Sequence, residues 1–259
     1  MNVIELQGAD NVRDLGGIPV QGARTVAPGL FFRGSALNAL TESDCDTLLN
    51  ELGISCIIDL RCGWECEEKP DVEISGIDYL HIPFFDLEKV GIEYTEPAEG
   101  TKVVGRDVAC NPKRFYRSLP NPLTVRQMRA GLAEAFDRAV RGQAVYVHCS
   151  GGKDRAGTFT VLLLAVLGAN REDILEDYLF TNVARDKNYD AMLERFMRFA
   201  GNEQRARELV ESHRALPENL DAFYGAIEAR YGDMDAFVRN QLGIDDKRRE
   251  QIRAACTHP

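Results

Sequence analysis

Residues 144–158 read AVYVHCSGGKDRAGT, and this stretch sets the architecture of the chain. Ala144 to His148 is a short apolar run of the buried, parallel-strand type. Ala156 to Leu167 is apolar throughout and long enough for a buried helix. Between them lie Cys149, Ser150, Gly151, Gly152, Lys153, Asp154 and Arg155. A loop that leaves a strand and enters a helix aims backbone N–H groups and a helix N-terminus at one spot, which suits a phosphate dianion. Gly151 and Gly152 let the backbone curl around an oxyanion. Arg155, six residues after Cys149, offers a planar fork of donors to two phosphate oxygens. The same positive field favours the thiolate form of Cys149, which is the nucleophilic form.

A departing alkoxide or phenolate needs a proton. Asp154 is the nearest candidate acid, with Asp59 and Asp86 as alternatives. The competing reading of Asp154 is a cap of the following helix, or a partner for Lys153 or Arg155. Lys153 reads either as a contact to a second anionic group on the substrate or as a solvated loop lysine.

Outward from the loop, the chain falls into three stretches. Residues 1 to about 86 mix strands and turns with one helix. A hairpin and short strand end at Arg33, Thr41 to Asp44 form a capping box for a helix over about 42–52, and SCIIDL (55–60) and 79–83 are strands. The stretch of about 87–121 is polar and proline-rich, which predicts a lid or insertion. From Leu123 onward the pattern is helical except for the 144–148 strand, with breaks near Gly201, Pro217, Gly232 and Gly243. Strands alternating with helices argue for an α/β fold, a mostly parallel central sheet flanked by helices, with a helical C-terminal part. The whole of 1–259 is expected to be one domain.

Composition narrows the partners. The formal net charge is −10, from 31 basic and 41 acidic residues, which argues against nucleic acid while leaving room for a locally basic anion site. No apolar run approaches a membrane span and no secretory signal opens the chain, so the expectation is a cytoplasmic protein without stable membrane insertion, export by another route aside. The seven cysteines are odd in number and show no disulfide framework. Cys62 and Cys66 lack the second pair a zinc site needs, so no metal or other cofactor is expected. Cys56, Cys62 and Cys66 are candidate resolving thiols should Cys149 be oxidised. The oligomeric state is not readable.

HCSGGKDRAG resembles the HCxxGKDRTG loop of bacterial tyrosine phosphatases that carry a lysine in that loop. Asn11-Val12-Arg13-Asp14-Leu15-Gly16-Gly17, Phe32-Arg33-Gly34-Ser35, Ile58-Asp59-Leu60-Arg61, Pro83-Phe84, Asp177-Tyr178-Leu179 and Tyr231-Gly232 match further landmarks of that family in order. The resemblance implies a tyrosine phosphatase-like fold and two-step catalysis without metal. Cys149 takes the phosphoryl group, and water then hydrolyses the phosphocysteine. It implies Asp154 as general acid, a helical lid, and phosphorylated protein or phosphoinositide as substrate. One departure stands out: the family places Thr or Ser after the arginine, and this chain has Ala156, which predicts slow hydrolysis of the phosphoenzyme and burst kinetics. Thr158 is the substitute hydroxyl, although helical geometry turns it away by about half a turn.

Of the other residues, Arg13 and Asp14 read as a structural ion pair. Asp59 and Arg61 end a central strand on the side where α/β proteins place their sites, and either orient Arg155 or pair structurally. His148 is expected beside the thiolate, shaping the loop rather than acting as a base. His81, His213 and His258 read as structural or solvated, and Trp64, Phe84, Phe85, Phe115 and Tyr116 as core more than cleft. Two readings compete with a phosphatase. A phosphate-binding module without catalysis is hinted at by Ala156, and sulfur transfer through Cys149 fits poorly with the Arg155 clamp.

Overall fold

A computed structural model describes residues 2–84, 112–198 and 200–259. In chain order the elements are β1 (Asn2–Val3), β2 (Arg13–Asp14), β3 (Pro19–Val20), β4 (Arg24–Val26), β5 (Phe31–Gly34), α1 (Glu42–Asp46), β6 (Ile54–Asp59), α2 (Gly63–Glu68) and β7 (Asp78–His81). They continue as α3 (Pro112–Ser118), α4 (Pro122–Ala139), β8 (Ala144–His148), α5 (Asp154–Leu167), α6 (Arg171–Ala184), α7 (Asp186–Met197) and α8 (Glu203–Ser212). The C-terminal part holds α9 (Pro217–Tyr231), α10 (Met234–Asn240), α11 (Asp246–Cys256) and β9 (Thr257–His258).

Six strands form one sheet in the order β1-β2-β5-β8-β6-β7. The four strands β5, β8, β6 and β7 run parallel, and β2 and β1 add an antiparallel edge. The fold is α/β with a mostly parallel central sheet, as the alternation of strands and helices predicts. Successive side chains of a strand face opposite ways, and β8 shows it: Val145 and Val147 join the larger core, Ala144 and Tyr146 the smaller one on the other face. The larger core is built around α5, whose residues from Ala156 to Leu167 are all buried. Gly168, at φ +97°, ends this helix in the left-handed conformation a glycine adopts without strain.

Thr41 caps α1 as expected. Its hydroxyl accepts from Asp44 N–H at 3.2 Å and the Asp44 carboxylate accepts from Thr41 N–H at 2.9 Å. The 87–121 segment lies largely outside the described residues, as do Asp86 and Phe85. Its last part is the helix α3, which packs on α9. Arg13 and Asp14 do not pair. Adjacent strand residues point to opposite faces, so Arg13 turns to Asp177 at 2.7 Å while Asp14 accepts from Gly16 and Gly29 N–H.

Candidate active site

The segment 148–155 connects β8 to α5; residues from other parts of the chain hold the carbonyls of His148, Ser150, Gly151 and Gly152, and those of residues 153–155 are bonded within the first turns of α5. Leu60 N–H donates to His148 O at 2.9 Å, and His148 Nδ1 lies 3.3 Å from Cys149 O. Ala36 N–H donates to Ser150 O, Asn11 Nδ2 to Gly151 O at 3.2 Å, and Arg33 Nη2 to Gly152 O at 2.6 Å. Gly157 N–H donates to Lys153 O, and the Thr158 hydroxyl lies 3.0 Å from both Asp154 O and Arg155 O. In a trans peptide the N–H opposes the C=O. Carbonyls drawn outward therefore turn the following amides inward, around the Cys149 side chain. Gly152 allows this turn at φ +68°, and it has no room for a side chain: a Cβ would lie 2.4 Å from Gly34 O.

The outside donors are themselves fixed. Asp177, buried on α6, bridges Arg13 and Arg33 at 2.7 and 2.5 Å. Arg13 in turn donates to Asn11 Oδ1 at 2.6 Å. Burial alone would raise the Asp177 carboxyl, but the two guanidinium charges outweigh it and hold it below its ordinary value. Burial lowers Arg13 to about 10 against the pull of Asp177.

Arg155, at the start of α5, meets Glu65 of α2. Its Nη1 and Nη2 both donate to the Glu65 carboxylate, the Nη2 contact being 2.9 Å, and Nη2 also reaches the Ser150 hydroxyl at 3.2 Å. The Ser150 hydroxyl donates to Glu65 as well. Glu65 is placed by its helix, because Oε2, which takes Arg155 Nη1, also accepts from Cys62 N–H at 2.8 Å. Burial would raise Glu65, but the Arg155 charge and these hydrogen bonds bring it down to about 2. The Arg155 guanidinium, despite burial, is pushed well above its ordinary value by Glu65.

Asp154 lies at the mouth with 36% of its side chain exposed. Its Oδ1 accepts from the Tyr116 hydroxyl of α3 at 2.7 Å. Lys153, by contrast, is buried. Its ammonium donates to His213 O at 2.6 Å, lies 3.4 Å from Arg214 O at the turn between α8 and α9, and pairs with Asp154 Oδ1 at 3.5 Å, as the alternative reading of Asp154 expects. Arg185, at the junction of α6 and α7, lays its guanidinium against Gly151, where a Cβ would come within 2.7 Å of Nη1. Among the described residues its Nε has no hydrogen-bond partner, and Asp10 is 3.7 Å away.

A profile described as "Tyrosine phosphatase family" matches residues 4–258. The chain belongs to the tyrosine phosphatase family. The triple specificity protein phosphatase PtpB of Mycobacterium tuberculosis is 29% identical over 269 residues, spanning 93% of this chain and 94% of that protein. A tyrosine-protein phosphatase of Nostoc commune is 24% identical over 247 residues, 91% of this chain and 76% of that one. Among solved structures, the core catalytic domain of the PP-IP phosphatase SIW14 from S. cerevisiae matches 74% of this chain and 95% of its own, at 11% identity and a TM-score of 0.37. The chain is thus a phosphatase of this family, with its α/β fold. Among the described residues no helix is long and apolar enough to cross a membrane.

The motif ending β6 lies beneath the loop. Asp59 binds Arg61 at 2.7 Å, Arg61 also binds Asp71 at 2.9 Å, and His148 Nε2 lies 3.0 Å from Asp71. All are buried, so Asp59 and Arg61 brace His148 from below instead of lining the mouth. Burial opposes ionisation of Asp59, yet His148, Arg61 and the Tyr79 hydroxyl together hold its carboxyl far below the ordinary range. Asp59, Asp71 and His148 offer three ligand atoms within 4.8 Å of one another. The Arg61 guanidinium already bridges both carboxylates there, and the group reads as an ion-pair network. Cys66, 3.3 Å from Asp59, is raised to about 11 by burial and that carboxylate, which keeps it a thiol.

Sequence reasoning missed Glu65, Asp71, Tyr116 as an Asp154 partner, and Arg185. Glu65 had a signal: it stands at the third helical position after Cys62, where a carboxylate caps. Asp71 is a carboxylate neighbour of His148, 3.0 Å from its Nε2, that the sequence does not reveal. Of the aromatics expected in the core, Phe84 and Tyr116 are there and Phe115 packs partly against it, whereas Trp64 is half-buried on α2 outside both core clusters.

Proposed function

We propose that the chain hydrolyses phosphomonoesters, protein phosphotyrosine foremost, through a phosphocysteine on Cys149. The observation that supports this most is the outward hold on the carbonyls of His148, Ser150, Gly151 and Gly152, which turns the following amides toward the loop that carries Cys149 and Arg155. Such fixed dipoles stabilise the three equatorial oxygens of a phosphoryl group as charge shifts during transfer. Cys149 Sγ attacks phosphorus in line with the ester oxygen. The P–O bond breaks, its electrons pass to the leaving oxygen, and Asp154 delivers the proton. Water then attacks the phosphocysteine and gives its proton to the Asp154 carboxylate. The S–P bond breaks, the thiolate returns and inorganic phosphate leaves. His148 and the Asp59–Arg61–Asp71 group hold the loop from below, and Glu65 orients Arg155. Ser150, Gly151, Gly152 and Lys153 supply loop amides.

The test is release of p-nitrophenol from p-nitrophenyl phosphate with chelator present. Turnover that persists in chelator and disappears in a folded Cys149→Ser variant supports the reading. A folded wild type without turnover overturns it and favours a phosphate-binding module.

A second reading, phosphoinositide hydrolysis, is favoured by Arg185. The Arg185 guanidinium lies against Gly151 with its Nε 3.7 Å from Asp10, and a guanidinium so placed suits a second phosphate on the same ring. Comparing turnover of a phosphotyrosine peptide and a short-chain inositol lipid, in wild type and Arg185→Gln, separates the two.

A further inference from the structure

Asp154 is not held by the loop alone. Its Oδ1 takes the Tyr116 hydroxyl at 2.7 Å, the Tyr116 oxygen lies 2.7 Å from the Tyr178 hydroxyl of α6, and Asn219 Nδ2 of α9 donates to Tyr178 at 3.2 Å. Both phenols are buried, and burial together with the nearby Asp154 charge pushes both above the ordinary phenol value, so both keep their protons.

Each phenol has one proton to give. The Asn219 Nδ2 group, which faces Tyr178, can only donate, so it claims a lone pair on Tyr178. The Tyr178 proton then goes to Tyr116, and the Tyr116 proton to Asp154 Oδ1. The chain runs one way, from α9 through α6 and α3 into the site. A proton on Oδ1 would face the incoming Tyr116 proton and force the whole chain to reverse. The carboxylic acid therefore carries its proton on Oδ2, away from Tyr116.

We infer that Tyr116, oriented by Tyr178 and Asn219, is the positioning residue for the acid step: it fixes the rotamer of Asp154 and assigns the transferable proton to Oδ2. This rests on the proposed role of Asp154. Geometry of this kind matters because a misplacement of about 1 Å costs up to about 100-fold in rate. It also explains why α3, from a segment that reads as loop in sequence, closes on the site through a buried tyrosine.

The test uses leaving groups. An activated phenol such as p-nitrophenol departs with little help, whereas phenol itself, with an acidity like that of tyrosine at about 10, needs the proton. The kcat/KM for p-nitrophenyl phosphate and phenyl phosphate, which reports phosphoryl transfer to Cys149 whichever step limits turnover, is measured for Tyr116→Phe, Tyr178→Phe and Asp154→Asn, with thermal melting to confirm folding. Tyr116→Phe is expected to lose about 10-fold on phenyl phosphate and less than about 2-fold on p-nitrophenyl phosphate. Tyr178→Phe, which leaves the Tyr116–Asp154 contact in place, is expected to lose in the same direction but less. Asp154→Asn is expected to show the largest discrimination between the two esters. Equal losses on both esters in Tyr116→Phe, or none, overturn the positioning role while leaving Asp154 as acid. If Asp154→Asn itself fails to discriminate, the acid assignment falls and this inference with it. Should Tyr116→Phe not fold, the Tyr178→Phe ratio decides by the same criterion.

Discussion

Both Nη nitrogens of Arg155 rest on the carboxylate of Glu65, a residue 90 positions earlier in the chain. A guanidinium held at its end can turn only about one axis, so the side edge is aimed before any oxyanion arrives. Hydrogen bonds to charged groups are worth about 1.5–3 kcal/mol. Glu65→Gln keeps the shape and removes the charge, and is expected to lower kcat/KM on p-nitrophenyl phosphate by about 10-fold or more. Saturation kinetics check it. A rise in kcat/KM would mean that Glu65 competes with the substrate for Arg155.

The same carboxylate sets an acid limit. Glu65 falls from an ordinary 4.5 to about 2 in the folded chain. A lowered folded value contributes stability above the unfolded value, and that contribution drains away as pH falls from about 4.5 toward about 2. Its full size above that window is roughly 3 kcal/mol. Asp177, held down by Arg13 and Arg33, adds in the same direction. Urea midpoints measured from pH 7 to pH 3 are expected to drop steeply below about pH 5, and less steeply in Glu65→Gln.

Gly151 and Gly152 are neighbours with different tolerances. A Cβ at Gly152 meets the fixed backbone of Gly34 and needs the left-handed φ of +68°. A Cβ at Gly151 meets only the far end of Arg185. Gly152→Ala is expected to abolish turnover and lower the melting temperature by several degrees. Gly151→Ala should fold normally and retain most turnover of p-nitrophenyl phosphate. Equal damage from both would contradict the loop geometry.

Ala156 leaves the second step without a hydroxyl behind Cys149. Thr158 does not replace it, because its hydroxyl is spent on the carbonyls of Asp154 and Arg155. Rapid-quench measurements are expected to show a burst of p-nitrophenol near one equivalent, followed by a slower steady rate. Ala156→Ser should shrink the burst and raise the steady rate. A linear time course from the first turnover in wild type would show that the missing hydroxyl does not limit the rate.

The loop and its flanks are legible in sequence because they are local: strand, glycines and helix follow within 15 residues, and the alternation of apolar runs gives the parallel sheet. What supports the loop is not local. Asp177 reaches Arg13 and Arg33 from more than 140 positions away, and Tyr116 reaches Asp154 from a stretch whose prolines and polar residues read as loop. No periodicity encodes such pairs, since they depend on which helix lands against which strand end. Lys153 shows the limit from the other side. Its place in the motif suggests a substrate contact, and only packing reveals that its ammonium ties down the α8–α9 turn.

The outward-bound carbonyls of His148, Ser150, Gly151 and Gly152 give the site a thermodynamic character as well as a shape. In water, dipoles must rotate to meet a new charge, and that rotation is part of every activation barrier. Here the rotation is finished when the chain folds, and each amide is anchored through a separate neighbour: Leu60, Ala36, Asn11, Arg33. The cradle acts as a solvent frozen in the orientation its solute requires, and an arriving oxyanion finds its solvation shell already assembled.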